Sequence, residues 1–287
     1  MSKQHGIAWL NIPGFKGETL NISSGCSKVS PGCQNCYAER LFPRVYGSEV
    51  VVTLHRTGTT CGSRERKRRF TDIKIHQDRL RKIDGWRDRR VVFINSMSDL
   101  FHEQVPWELQ YKFFERAFLN PKHIYIVLTK RAERMHKHMP QIYTHLARNY
   151  HSVKRAHDVL ENVWLGVSAE DQERFTERVP YLLETPADKR IVSIEPMIEE
   201  IDVTVNVQAV HPLNEGYGFR ALEGLGWVIV GGESGSKARP FDPDWARDIR
   251  DLCAADHVPF FMKQMSAHGG ADKNDIPEDL IVREFPI

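Results

Sequence analysis

Apolar residues in this chain gather into short runs. They stand at 19–23 (TLNIS), 50–55 (VVVTLH), 90–95 (RVVFIN), 123–129 (HIYIVLT), 163–168 (VWLGVS), 190–195 (RIVSIE), 227–232 (WVIVGG) and 258–263 (VPFFMK). Most are apolar throughout rather than at alternate positions, the pattern of strands covered on both faces in a parallel sheet. Helical patterns lie between them. Pro106 suits the first helical position before WELQYKFFERAFL. Thr129 is placed to cap KRAERMHKHM, and Ser168 with Asp171 reads as a capping box before DQERFTERVPYLLE. Asp242 and Pro243 open DWARDIRDLCAA. This alternation predicts an α/β fold in a single domain: a parallel (β/α) barrel, complete or partial and TIM-like. An open doubly wound sheet is the alternative. Residues 196–224 hold no clean helix and predict an insertion, a small hairpin that could lie over the active face as a lid.

Polar cassettes close the predicted strands: NSMSD (95–99), TKR (129–131), GVSAED (166–171), SIEP (193–196), GGESG (231–235) and KQMS (263–266). In a parallel α/β sheet the carboxyl ends of the strands share one face, and the site is built there. For Ser168 and Thr129, helix capping competes with a functional role. It does not account for Glu195 and Glu233, because an acid just past an apolar strand is costly to bury alone. Both are expected to face a ligand. Gly231 and Gly232 would let the backbone approach that ligand closely and leave amides free to donate.

Composition adds bounds. The 287 residues suffice for one large domain or two smaller ones, and the net charge of +2 imposes no global field. No apolar run approaches the ~20 residues of a membrane span, and MSKQHGIAWL lacks the pattern of a secretory leader. The expectation is a cytoplasmic protein with reduced thiols and no membrane partner.

Three of the five cysteines, Cys26, Cys33 and Cys36, fall within GCSKVSPGCQNCYAER. Thiolates in this C-x6-C-x2-C spacing suit a soft metal or an iron–sulfur cluster, and Pro31 with Gly32 can turn the chain to bring Cys26 back. Three readings follow. One is a [4Fe–4S] cluster held by three thiolates with one iron open. Another is a structural zinc site completed by Cys61, His55 or His102. The third is free thiols. Cys253, in a helical apolar context, reads as core.

A cysteine trio in the loop after the first strand of an α/β barrel resembles the radical S-adenosylmethionine superfamily, and Tyr37 beside the last cysteine fits it. The cysteine loop with VWLGVSAED, SIEPM and VIVGGESGSKARPFDPDWARDIRDLCAADHVPFFMKQ is similar to a widespread phage-protein family over nearly the whole chain. The superfamily's loop is C-x3-C-x2-C, and its Gly-Gly-Glu element follows the second strand. Here the loop is longer and GGE comes late, while the second predicted strand ends in LHRTGTT. The resemblance implies that Cys26, Cys33 and Cys36 ligate a [4Fe–4S] cluster whose open iron binds S-adenosylmethionine. One-electron cleavage then yields a 5′-deoxyadenosyl radical that takes a hydrogen atom from substrate. It makes Ser168, Glu233, Gly231, Gly232, Asn95 and Ser96 candidates for gripping cofactor or substrate. Glu195 and Lys263 are the candidate catalytic pair, with Asp99 and Lys130 in support. It also implies a flavodoxin- or ferredoxin-like electron donor, and host cytoplasm if the chain is phage-encoded.

For substrate, SRERKRRF (63–70) is either a solvated loop or a phosphate contact. Together with the phage likeness it points to rearrangement or tailoring of a modified base, such as an amino-acid-decorated thymidine in DNA. A free nucleotide or peptide remains open as substrate. The rival classes are a zinc-dependent nucleic-acid hydrolase or deaminase, and a non-catalytic DNA-binding protein.

Overall fold

A computed structural model describes residues 6–54, 60–150, 160–208 and 218–287. The chain opens with β1 (Lys16–Leu20), β2 (Ser23–Ser24), α1 (Tyr37–Val45), β3 (Ser48–Leu54), β4 (Thr60–Lys67) and β5 (Lys74–Ile75). Then come α2 (Arg81–Gly85), β6 (Arg90–Ile94), α3 (Trp107–Leu119), β7 (Ile124–Thr129), α4 (Ala132–Asn149), β8 (Val163–Ser168) and α5 (Gln172–Glu184). The last part holds β9 (Lys189–Ile194), β10 (Asn206–Gln208), β11 (Gly218–Arg220), β12 (Trp227–Gly231), α6 (Pro243–Ala255) and β13 (Phe260–Gln264).

Seven strands form one all-parallel sheet in the order β1-β6-β7-β8-β9-β12-β13. The sheet curls into a half-barrel, so the partial form of the expected barrel is the one adopted. The run at 50–55 is not among its strands. It belongs to β3, which pairs antiparallel with β4 from Ser48↔Lys67 to Leu54↔Thr60. Two strands so close in sequence close a hairpin cheaply, whereas parallel pairing needs a crossover of a dozen residues or more. The second sheet strand is therefore β6, and NSMSD follows it. β1 lies three residues earlier than the run TLNIS, because Asn95 Oδ1 draws Ile22 N (2.9 Å) and Ser23 N (3.2 Å) out of the ladder.

Side chains alternate across each strand. One face presents Val92, Ile94, Tyr125, Val127, Val163, Leu165, Val192, Val228, Val230, Phe260 and Met262 to the helices, forming the larger core. The concave face presents Val91, Phe93, Ile126, Trp164, Ile191, Trp227, Ile229 and Phe261. Trp9, on a short 3-10 turn over Ala8–Leu10, plugs the concave side edge-on to Phe93 and Trp227 at centroid distances of 5.0 and 6.3 Å. The half-barrel thus has an apolar floor made partly by the N-terminal segment.

Helix starts follow local chemistry with three changes. Pro106 stands at the N-cap of α3 in extended backbone, and Trp107 is the first helical residue. Asp242 accepts from Asp244 N (2.9 Å) with Pro243 first in α6, as expected. Asp171 alone caps α5, accepting from Arg174 N at 2.7 Å, while Ser168 ends β8. Thr129 does not cap α4: its hydroxyl donates to Asp99 at 2.7 Å and accepts from Arg131 N at 2.9 Å, and the helix starts after Arg131. In the insertion, β10 and β11 form the expected antiparallel hairpin. Ile201, Val203, Val207, Ala221, Leu222 and Leu225 are buried in the outer core, and Gln172 at the start of α5 donates through its backbone to Glu199 (2.8 Å). This part fills the outer layer where a helix would connect β9 to β12; residues 209–217 lie outside the described residues. No helix among the described residues is long and apolar enough to cross a membrane.

Candidate functional site

Inward parity carries the polar mouth upward from the apolar floor. Two-residue steps lead from Phe93 to Asn95, from Trp164 through Gly166 to Ser168, and from Ile191 through Ser193 to Glu195. The same steps lead from Ile229 to Gly231 and from Phe261 to Lys263.

The cysteine loop leaves β1 and spans this mouth. Each cysteine follows a residue fastened elsewhere in the fold. Gly25, before Cys26, donates to Met97 O at 3.1 Å. Its φ of 96° is open to glycine, and a Cβ there would meet Phe70 O at 2.7 Å. Gly32, before Cys33, donates to Glu170 Oε1 at 2.9 Å, past the end of β8. Asn35, before Cys36, donates through Nδ2 to Glu233 Oε2 at 2.9 Å, past the end of β12. Just after Cys36, the Tyr37 hydroxyl donates to Ser96 O at 2.6 Å, past β6. Backbone bonds from Cys26 N to Phe70 O (2.9 Å) and Cys33 N to Ser30 O (2.9 Å) complete the anchoring.

Two buried charge centres support the loop. Arg131 is 5% exposed at its side chain and ion-pairs Asp99 at 3.1 Å. It also donates to Ser27 Oγ at 2.9 Å and approaches Cys26 Sγ at 3.7 Å. Thr129 Oγ1 and Lys130 N hold the Asp99 carboxylate from the other side, at 2.7 and 3.2 Å. The second centre is Glu170, whose side chain is fully buried. It accepts from Arg178 (3.1 Å), Lys130 (3.2 Å) and Gly32 N. Burial alone would raise its carboxyl, but Lys130, Arg178 and the hydrogen bonds from Ser30 and Gly32 outweigh it and lower the pKa to about 2.

The thiols respond to the same surroundings. Burial, then the Asp99 charge, pushes Cys26 up to about 12, with Arg131 working the other way. Burial also raises Cys36. Cys33 lies within electrostatic reach of both other cysteines. All three are free of disulfides. Metal loading would therefore release protons from these half-buried thiols.

In chemical type, three free, half-buried thiols on a fastened loop are the donors an iron–sulfur cluster takes, each thiolate bonding its own iron. A single zinc ion asks for ligands converging at ~2.3 Å from one point. Among the described residues, the three cysteines included, no three His, Cys, Asp or Glu side chains are grouped as a site for a metal ion. Of the proposed fourth zinc ligands, His102 has both ring nitrogens engaged, Nε2 with Ser27 Oγ (2.9 Å) and Nδ1 with Gln104 N (3.1 Å). His55 and the Cys61 side chain lie outside the described residues.

The other candidates divide. Glu195 and Lys263 meet as an ion pair at 2.7 Å with side chains 13% and 24% exposed, and Ser193 Oγ donates to Glu195 at 3.2 Å. Gly231 lies between them on the intervening strand, where a Cβ would stand 2.8 Å from Glu195 Oε1. Ser168 ends β8 half-buried, its carbonyl accepting from Arg178 at 2.6 Å. Ser96 Oγ bonds with the Asn21 side chain at 3.2 Å. Asn95 is 3% exposed and spends its side chain on Ile22 N, Ser23 N and Ser23 Oγ. Glu233 is 5% exposed and is bound by both Arg239 side-chain arms (2.7 and 3.1 Å) and by Asn35. Gly232 donates to Gln264 O (2.9 Å) and accepts from Gln264 Nε2 (2.8 Å). The Gly-Gly-Glu stretch thus uses much of its polarity internally, and Glu233 acts as an anchor for the cysteine loop. Glu170, Arg131, Arg178 and Arg239 were missed from sequence. Glu170 carried the signal applied to Glu195 and Glu233, an acid just past an apolar strand. The arginines carried none: Arg131 meets Asp99 from 32 positions away. Arg178, eight residues from Glu170, sits in α5 while the acid lies before that helix, and Arg239 meets Glu233 six residues away within the loop after β12.

A family model described as "Protein of unknown function (DUF5131)" matches residues 7–281, nearly the whole chain. No curated protein and no solved structure matches.

Proposed function

We propose, from the premise that the chain belongs to the DUF5131 family, that it is a radical S-adenosylmethionine enzyme acting on a modified nucleobase. The observation that carries this reading is the cysteine loop: three free thiols, each preceded by a residue tied down at the mouth of a parallel half-barrel. Cys26, Cys33 and Cys36 would hold a [4Fe–4S] cluster with one iron left for S-adenosylmethionine. When bound, that pair supplies one-electron cleavage of the sulfonium and hydrogen-atom abstraction from substrate, with electrons from a flavodoxin- or ferredoxin-like donor.

The chain's own residues do the rest. Trp9, Phe93, Trp164, Trp227 and Phe261 close the floor against water, which protects a radical from side reactions. Lys263 and Lys130 are cations at the mouth, suited to a carboxylate on a decorated thymidine or to a phosphate. Glu195 Oε1 is placed to hold or return a proton through Lys263 Nζ. The reaction class is rearrangement or tailoring of the base.

Metal analysis on anaerobically purified protein tests this. The expected result is brown protein absorbing near ~400 nm with about four irons and four sulfides per chain. Reductant and S-adenosylmethionine should then release 5′-deoxyadenosine, and Cys33→Ala should lose both the iron and the product. Colourless protein carrying one zinc would overturn the reading.

A further inference from the structure

We infer that the outer β1 edge of the half-barrel, from the cysteine loop down to the base of β6, is a binding band for the backbone of double-stranded DNA. This rests on the nucleobase reading above and specifies the form in which the base arrives. Charge is segregated along the chain. Residues 64–90 hold twelve Lys and Arg against five Asp and Glu, net +7. The whole chain is +2, so the remaining residues sum to −5. Lys67, Arg69, Arg81, Lys82, Arg87 and Arg89 are exposed. A polyanion is drawn to this basic segment more strongly than to the remainder of the chain, whose charges sum to the opposite sign.

The band touches the site at one end. Phe70 O accepts from Cys26 N, and β5 pairs antiparallel with β2, two residues before Cys26. From there the segment runs through α2, beside α3, to the base of β6. A five-residue strand alone spans about 17 Å. That length runs beside a stretch of duplex carrying on the order of ten phosphate charges, both strands counted, whereas a free nucleotide keeps its phosphates at one end and cannot reach along it. Single strands are gripped by stacking bases on open aromatic rings. Here the rings are covered by the protein's own guanidinium groups: Arg79 over Tyr46 (5.4 Å), Arg89 over Phe15 (4.2 Å) and Arg90 over Trp86 (5.0 Å). A backbone contact with duplex suits such a surface.

Fluorescence anisotropy with a labelled duplex of roughly 20 bp, titrated with salt, tests the band. The triple variant Lys67→Gln/Arg81→Gln/Lys82→Gln should weaken binding at least tenfold at about 0.1 M salt. It should also lower the log–log salt slope by about 2.7, at ~0.9 per lost contact. The control triple Lys137→Gln/Arg148→Gln/Arg283→Gln removes equal charge elsewhere and should change affinity less than threefold. Equal losses in both triples, equal binding of a single strand of matched charge, or no binding by the parent chain would each overturn the inference. The assay needs no iron. A radical enzyme acting on free nucleotides would fail it while keeping its iron, and a cluster-free DNA-binding protein would pass it.

Discussion

Replacing Glu170 with Gln removes one negative charge and almost no volume. Arg178, with its side chain 3% exposed, and Lys130, 18% exposed, then keep their charges without their shared counter-ion. Two routes give the cost. Removing one partner from a buried ion pair destabilises by about 3–5 kcal/mol. Independently, a carboxyl whose pKa falls from 4.5 to about 2 on folding contributes about 3 kcal/mol at neutral pH. The side chain is fully buried, so solvent screening does not reduce this. Because the folded pKa is the lower one, the contribution is complete above about pH 4.5 and is lost as pH falls toward 2. About 1 kcal/mol is gone by pH 4 and about 2 by pH 3. Urea denaturation of both proteins at pH 7, 4 and 3 reads this directly. The gap should be about 3 kcal/mol at pH 7 and narrow steadily with acid. A variant within ~1 kcal/mol of the parent at pH 7, or a gap constant across all three pH values, would refute the reasoning.

Further expectations concern the same loop and its edge. Arg131→Met should cost about 3–5 kcal/mol in urea, because Asp99 stays buried without its guanidinium; a loss below ~1 kcal/mol would mean that Thr129 and Lys130 N suffice to hold it. Gly25→Ala should lower both stability and bound iron, since its Cβ would meet Phe70 O at 2.7 Å at a φ of 96°; Gly85→Ala, with nothing within 4 Å, should leave both unchanged or slightly improved. His76 is pushed down to about 4 by burial, then by Arg79 and Arg68, so the fold holds it neutral. Its contribution is complete above 6.5 and is lost as pH falls toward 4. His76→Gln should flatten Tm against pH over that interval; parallel curves for the two proteins would exclude this role.

The sequence by itself determined the parallel α/β architecture, because doubly covered strands must be apolar throughout and seven of the eight such runs entered the sheet. It also located the cassettes that form the mouth, since the carboxyl ends of parallel strands share one face. The eighth run entered a hairpin instead, because β4 stands close enough to pair first, and strand content does not say which neighbour wins. The sequence marked Glu195, Lys263 and Glu233 as acids and bases at strand ends. It could not say that Glu195 would meet Lys263 across Gly231 while Glu233 would be consumed by Arg239 and Asn35. Those pairings join residues up to 198 positions apart, and a partner decides whether a buried charge faces a ligand or another side chain. Tertiary structure alone decided that Gly25, Gly32 and Asn35 would each be tied down just ahead of a cysteine. The reason is geometric: local sequence sets which atoms can bond, and only the closing of the sheet sets which atoms arrive.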